Sequence, residues 1–264
     1  MRSCCPRVNT SAERHGQTVW RRLVAKEQDE QSGPARRASD RGRYGRLSRE
    51  RVLASALELV DREGLSALSM RRLGAELGVE AMALYRYAAS KDALLDGLVE
   101  ALYLELEERL TADAPPAATG GTPAWQEELR GVARTAYDVC LAHPQVVPLL
   151  ATRMLAVPLA QQPAAVLRHH ERVLASLRHA GLESARAAAV FRAFTAWLLG
   201  YVTVELRPMV DNPDEPDPAF RLGLHRLSSQ ELPTLRETAP ALAERGGPEG
   251  LAAGLDVLLT TFGD

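Results

Sequence analysis

Cysteine is scarce in this chain. Only Cys4, Cys5 and Cys140 occur in 264 residues, and three thiols, two of them adjacent, do not make a disulfide framework. The expected setting is therefore a reducing cytoplasm. Long hydrophobic runs are missing as well. The longest, Ala193 to Val204, covers twelve residues and includes Thr195 and Thr203, whereas a membrane span needs about 20. It reads as a buried helix, and no membrane partner is expected. The Arg-rich N-terminus has no apolar segment of the kind that marks a secretory signal. Catalytic signatures are absent: there is no P-loop, no GxSxG elbow and no CxxC pair. His170-Glu171 begins like a zinc-protease motif, but Leu174 stands where the second His is required. His169, His170 and His179 read as surface or groove residues, not metal ligands. A non-enzyme is expected, with no metal and no cofactor.

What the chain does have is apolar material, 46% of its residues, and nearly balanced charge, with a formal net of −2. As a whole it does not look like a nucleic-acid binder. The charge is unevenly placed, however. Residues 1–46 hold eleven basic and five acidic side chains, while the remainder holds twenty-one basic and twenty-nine acidic ones. That asymmetry describes a basic arm on an acidic body. Residues 1–45 lack sustained periodicity and read as a disordered extension. Their arginines offer phosphate contacts, or simply a solvated tail.

Beyond the arm the pattern is helical throughout. Ser48 suits an N-cap, and Val52, Leu53, Ala56, Leu57, Leu59 and Val60 recur at helical spacing up to Gly64. Ser69 opens a second, short helix carrying Leu73 and Leu77, which Gly78 breaks. A third is expected from about Glu80 to Tyr87. Ser90 caps a fourth, with Leu94, Leu98, Leu102 and Leu106 on its apolar side. Residues 111–123, rich in Ala, Pro and Gly, read as a linker. Further helices are expected at Trp125 to Ala142, Ala164 to Ala180, Ser184 to Leu206 (closed by Pro208) and Pro248 to Phe262. Residues 208–219, with four prolines, read as a loop. No segment reads as a strand. The fold class is all-α: a three-helix helix-turn-helix head at 46–97, joined by a connecting helix to a helical bundle at 98–264.

The chemistry lies in residues 65–96. A helix-turn-helix needs two short helices with a tight joint, the second showing a polar face to a groove while its other face packs inward. Leu73, Leu77, Val79 and Leu84 supply inward contacts, and Gly78 the turn. Arg71, Arg72, Arg86 and Lys91 supply cations. Tyr85 and Tyr87 supply hydroxyl groups. Residues 46–97 hold eight basic and eight acidic side chains, so placement, not composition, carries the argument.

At Ser69, Arg71, Leu73-Gly74, Leu77-Gly78-Val79, Leu84-Tyr85, Lys91 and Leu94-Leu95 the sequence resembles the N-terminal domain of the TetR family of bacterial repressors, over about residues 48–98. The resemblance implies a phosphate contact for Ser69 and a base reader in Arg71, whose fork fits guanine O6 and N7. It places Glu80, Ala81, Met82 and Ala83 at the base edges, and Tyr85, Tyr87 and Lys91 at phosphates. Lys91 also opens a helix, where the dipole and free amides favour an anion. Arg72 and Arg86 complete the candidate DNA-binding set. Two departures stand out. Ala81, Met82 and Ala83 are apolar where relatives often carry hydrogen-bonding groups; they read thymine methyls or nothing. Ala88 replaces a bulky aromatic. The operator sequence is therefore not carried over.

Residues 123–264 are similar to the family's C-terminal domain in helix layout and in the ATR at 151–153. The resemblance implies a homodimer whose paired heads meet half-sites about 34 Å apart on a double-stranded operator, and a pocket for a small-molecule inducer. Pocket candidates are Thr152, Arg153, Phe191, Phe194, Trp197 and Glu205. Leu149 stands where the tetracycline-responsive member has a metal-coordinating His, which argues against a tetracycline–magnesium inducer. The expected function is a ligand-responsive repressor. The alternative is an architectural or interaction protein of the same fold that binds DNA without sequence preference.

Overall fold

The computed structural model describes residues 47–112, 123–211, 223, 226, 228 and 230–263. The extension expected at 1–45 and residues 113–122 of the expected linker lie outside them. The described residues hold ten α-helices and no strand. They divide into two compact units, one ending at Glu105 and the other beginning at Leu106.

The first unit holds α1 (Arg49–Glu63), α2 (Met70–Leu77), α3 (Ala81–Leu84) and most of α4 (Lys91–Ala112). Its boundaries follow local chemistry. Ser48 is extended and its hydroxyl oxygen accepts from the Arg51 amide at 3.2 Å, satisfying one of the free donors of the first turn. Gly64 ends α1 at φ 81°, a conformation that penalises a Cβ. The whole expected stripe of α1, Val52 to Val60, is buried, as are Leu73, Leu77, Leu84, Leu94 and Leu98. Helix α4 crosses α1 so closely that a Cβ on Gly97 would lie on the Leu53 side chain.

The second unit holds the end of α4 with α5 (Ala124–Ala142), α6 (Val147–Ala156), α7 (Ala164–His179), α8 (Ser184–Asp211), α9 (Pro233–Ala243) and α10 (Gly247–Gly263). Helix α8 is its axis and packs against α5, α6, α7 and α10. Helices α6 and α9 have no counterpart in the sequence expectation. Pro148 and Pro233 both sit in first turns, where a missing amide costs nothing.

Three expectations need correcting. Residues 111 and 112 belong to α4, not to the linker, and the Thr111 hydroxyl bonds back to the Glu107 carbonyl. Helix α8 runs through Pro208 to Asp211; one lost amide in the closing turn does not end it. Finally, the apolar stretch 193–204 is helical but only partly buried: Phe194 and Val202 reach the core, and most of the rest does not. The most apolar window of Ser184–Arg207 has mean hydropathy 1.5, enough by length and composition to cross a membrane, and 22% of that window is buried. Its neighbours cover only part of its circumference, and Val204 is 75% exposed.

Candidate nucleic-acid interface

The joint between α2 and α3 is built from backbone contact. Gly78 takes the left-handed conformation (φ 67°, ψ 30°) that closes a helix without a side-chain clash. The next amide, Val79, bonds back to the Gly74 carbonyl at 2.9 Å. A Cβ on Gly74 would stand 2.9 Å from the Val79 oxygen and 3.2 Å from the Ala81 nitrogen. Glycine at 74 therefore lets α2 touch the start of α3. Leu73 and Leu84, both 0% exposed, anchor the two helices on the inner side.

Helix α3 is shorter than expected: it spans Ala81–Leu84, and residues 85–87 form a turn. The Tyr87 and Ala88 amides both bond to the Leu84 carbonyl, at 2.9 and 3.0 Å, so the chain tightens instead of continuing. Ala88, which stands where a bulky aromatic was expected, is buried. Ser90 caps α4, accepting from the Ala93 amide at 3.0 Å.

On the outer side Ser69, Arg71, Arg72, Glu80, Met82, Tyr85, Arg86 and Lys91 are exposed, with Ala81, Ala83 and Tyr87 half-buried. The Ser69 oxygen accepts from the Arg72 amide at 3.1 Å. A hydroxyl has one proton and two lone pairs, so this bond leaves the Ser69 proton available. Arg71, Arg86 and Lys91 have no ion-pair partner among the described residues. Two of the expected contacts are otherwise engaged. The Arg72 guanidinium pairs with Glu63 at 2.8 Å, in a chain that continues through Arg62 to Glu76. Bonds from Arg72 and Arg62 hold the Glu63 carboxyl below its usual range. The Tyr87 hydroxyl donates to the Leu47 carbonyl at 2.8 Å, so its one proton is spent inside the head.

In the second unit the six pocket candidates have separate employments. The Thr152 hydroxyl is exposed and bonds to the Pro148 carbonyl. Arg153 is half-buried. Phe194 is a core residue. Phe191 meets the ring of His170 edge-on, centroids 5.0 Å apart. Trp197 and Glu205 join α8 to α10. Glu205 accepts from the Gly247 amide at 2.9 Å and from Gly246 at 3.3 Å, capping α10. Tyr201 donates to the Gly247 carbonyl at 2.7 Å. A Cβ on Gly246 or Gly250 would stand 2.8 Å from the Tyr201 oxygen, and one on Gly254 would stand 3.0 Å from Trp197. The four-residue glycine spacing at 246, 250 and 254 was present in the sequence as the sign of this close packing.

The histidines also depart from expectation. His169 and His170 are 7% and 9% exposed, not surface residues. Burial, with the neighbouring charges of His170 and Arg172, lowers the His169 pKa to about 4, and burial lowers that of His170. Among the described residues, no group of three or more His, Cys, Asp or Glu side chains could hold a metal ion.

The helix-turn-helix and the helical unit that follows it in the chain each have a match among known families. The bacterial regulatory proteins, tetR family, match residues 52–98, and the tetracyclin repressor-like C-terminal domain matches residues 116–260. An HTH-type transcriptional regulator of Saccharopolyspora erythraea is 32% identical over 196 residues, which are 74% of this chain and 76% of that protein. The class C tetracycline repressor protein of Escherichia coli is 27% identical over 227 residues, 83% of this chain and 95% of the repressor. A crystal structure of a possible TetR family transcriptional regulator from Streptomyces coelicolor A3(2) superposes with a TM-score of 0.64 at 26% identity, covering 81% of this chain and 98% of that one. With both of its units matched, the chain belongs to the TetR family of bacterial transcription regulators.

Proposed function

We propose that this protein is a repressor that binds a palindromic operator as a homodimer and leaves it when a small-molecule inducer binds. The observation that carries the DNA half is the outer side of the head. Among the described residues three exposed cations, Arg71, Arg86 and Lys91, have no ion-pair partner, and in sequence they flank a one-turn helix anchored by the buried Leu84. In this reading the remaining proton of Ser69 goes to a phosphate, and Arg71 forks a guanine. Glu80, Ala81, Met82 and Ala83 lie against base edges. Tyr85, Arg86 and Lys91 hold phosphates. Arg72 and Tyr87 act inside the head: they position the reading surface and do not touch DNA.

The dimer is supported by the apolar sides of α8 and α10. These helices pack on each other and still leave Val204 75% and Val257 71% exposed. A second copy would cover both, and a two-fold dimer matches a two-fold operator.

The inducer would sit in the second unit among Thr152, Arg153, Phe191 and Phe194. His170 joins this set, because its buried Nδ1 has no hydrogen-bond partner among the described residues. An unpaired buried polar atom costs about 1–3 kcal/mol, which a bonding ligand would recover. Trp197 and Glu205 leave the set, being held against α10. Leu149 is buried and offers no metal donor, so the inducer we propose is not a tetracycline–magnesium complex. Release requires the ligand to favour the DNA-incompetent arrangement by unequal affinity for the two states. The setting that this function requires is the cytoplasm.

Selection from a random duplex library at fixed salt, with wild type and Arg71→Ala in parallel, tests the reading. The expected result is a palindromic site whose specificity relaxes at one position in the variant, by roughly 1–3 kcal/mol. Weak, salt-sensitive binding without enrichment, identical in both proteins, would leave the architectural alternative standing, since phosphate contacts carry no sequence information.

A further inference from the structure

We infer that Arg41 and Arg43, just before the head, enter the minor groove beside each operator half-site and prefer A·T pairs there, an inference that rests on the DNA-binding function proposed above. The head alone carries little charge for DNA. Over residues 46–97 its eight basic side chains are matched by eight acidic ones. Arg49 pairs with Glu100 at 2.7 Å, and Arg62 and Arg72 pair with Glu63. Residues 36–46 hold the surplus: Arg36, Arg37, Arg41, Arg43 and Arg46 against the single acid Asp40. The point where this segment joins the head is fixed. The Leu47 carbonyl accepts the Tyr87 hydroxyl proton at 2.8 Å, so the chain enters the head against the turn that follows α3. Ser48, the next residue, caps α1. Arg46 is therefore bonded directly to a residue tied to the end of the reading helix.

Reach and residue type select the groove. Six residues, Arg41 to Arg46, span at most about 20 Å. The minor groove runs half a turn, about 17 Å, from the major groove in which α3 would lie. That groove is only about 6 Å wide. In Arg41-Gly42-Arg43 the residue between the arginines has no side chain, which would let the backbone approach the groove closely while both guanidiniums reach its floor. Arginine suits A·T-rich DNA, which narrows the minor groove and strengthens its negative potential. Guanine suits it badly. The guanine N2 amino group projects from the floor as a donor, and an arginine has donors only. Arg46, next to Leu47, is left for a phosphate. The specificity gained lies outside the pairs that α3 reads, and it is for base composition, not for one sequence.

Inosine·cytosine pairs separate the two grooves: they lack the guanine N2 amino group and keep the major-groove pattern of guanine·cytosine. Starting from the selected operator, the pairs flanking each half-site would be made all G·C, all inosine·cytosine or all A·T. Affinity would be measured at fixed salt for wild type and for the full chain carrying Arg41→Ala and Arg43→Ala. Wild type is expected to bind the A·T and inosine·cytosine duplexes about tenfold more tightly than the G·C duplex. The double variant should bind all three alike. It should unfold at the same denaturant midpoint as wild type, since it keeps the Leu47–Tyr87 bond. Indifference of wild type to the flanks, or an undiminished preference in the variant, would overturn the inference while leaving the regulator intact. So would an equal loss on all three duplexes, which describes phosphate neutralisation alone. A preference for A·T over both other flanks would place the contact in the major groove and overturn it too. Failure to select any site would instead overturn the regulator, and this inference with it.

Discussion

Tyr87 donates its phenolic proton to the carbonyl oxygen of Leu47 at 2.8 Å, tying the turn after α3 to the residue before the α1 cap. A tyrosine has one proton to give, so this bond and a donated phosphate contact exclude each other. Tyr87→Phe should therefore lower stability by about 1 kcal/mol in urea unfolding and leave operator affinity unchanged at conditions where the head is folded. Tyr85→Phe should do the reverse. Equal losses of affinity in the two variants would show that Tyr87 releases Leu47 on binding DNA.

The free and paired cations should separate in salt titrations. Lys91→Ala and Arg86→Ala are each expected to reduce the slope of log K against log salt by about 0.9 per protomer. Arg72→Ala should change the slope little, since Arg72 is already neutralised by Glu63 at 2.8 Å. A full loss of slope in Arg72→Ala would mean that the Glu63 pair opens in the complex.

Gly74 is a test of the joint itself. In Gly74→Ala the new Cβ meets backbone, 2.9 Å from the Val79 oxygen, and backbone cannot rotate away as a side chain can. The expected cost is about 1–3 kcal/mol, read from denaturant unfolding, with weakened operator binding as α3 is pushed from α2. Wild-type stability would show that the joint is looser than its contacts indicate.

Glu205 caps α10 from α8, accepting from Gly246 and Gly247. Glu205→Ala removes a charged acceptor from two amides, and roughly 1–2 kcal/mol of stability should go with it. Since α10 is half of the proposed dimer surface, sedimentation equilibrium should show a weaker dimer. If self-association is unaffected, the dimer forms elsewhere.

Acid should destabilise the second unit through His169. Its pKa falls from 6.5 to about 4 on folding, so between those values the unfolded chain binds more protons than the folded one, and stability falls as pH falls. The full contribution is present above pH 6.5, is lost progressively below it, and levels off below about pH 4. Unfolding measured at pH 7 and pH 5 should differ by about 2 kcal/mol from this group, and His169→Gln should remove that difference. Equal acid sensitivity in the variant would assign the effect to other groups.

Much of the head was legible because its signals are local. Ser48, Ser69 and Ser90 cap helices through bonds to amides three residues on, and Gly78 turns the chain where it stands. The α1 stripe is a matter of period alone. Helix α3 was overextended to Tyr87 because helix-compatible residues continue past Leu84, while the Tyr87–Leu47 bond that favours a turn there spans forty residues.

The sequence by itself determined the all-α class, the capped helices of the head and the glycine turn, since each depends on residues within about one helical turn of one another. Only the tertiary structure decided which side chains are left free to act. Glu63 withdraws Arg72 from nine residues away, Leu47 withdraws Tyr87 from forty, and the α10 amides withdraw Glu205 from forty-one and forty-two. Burial of His169 and of His170, the latter against Phe191 of α8, and exposure of Met82, Val204 and Val257, likewise follow from how helices pack. Periodicity marks an apolar side of a helix, but whether a neighbour covers that side is set by contacts between residues far apart in the chain.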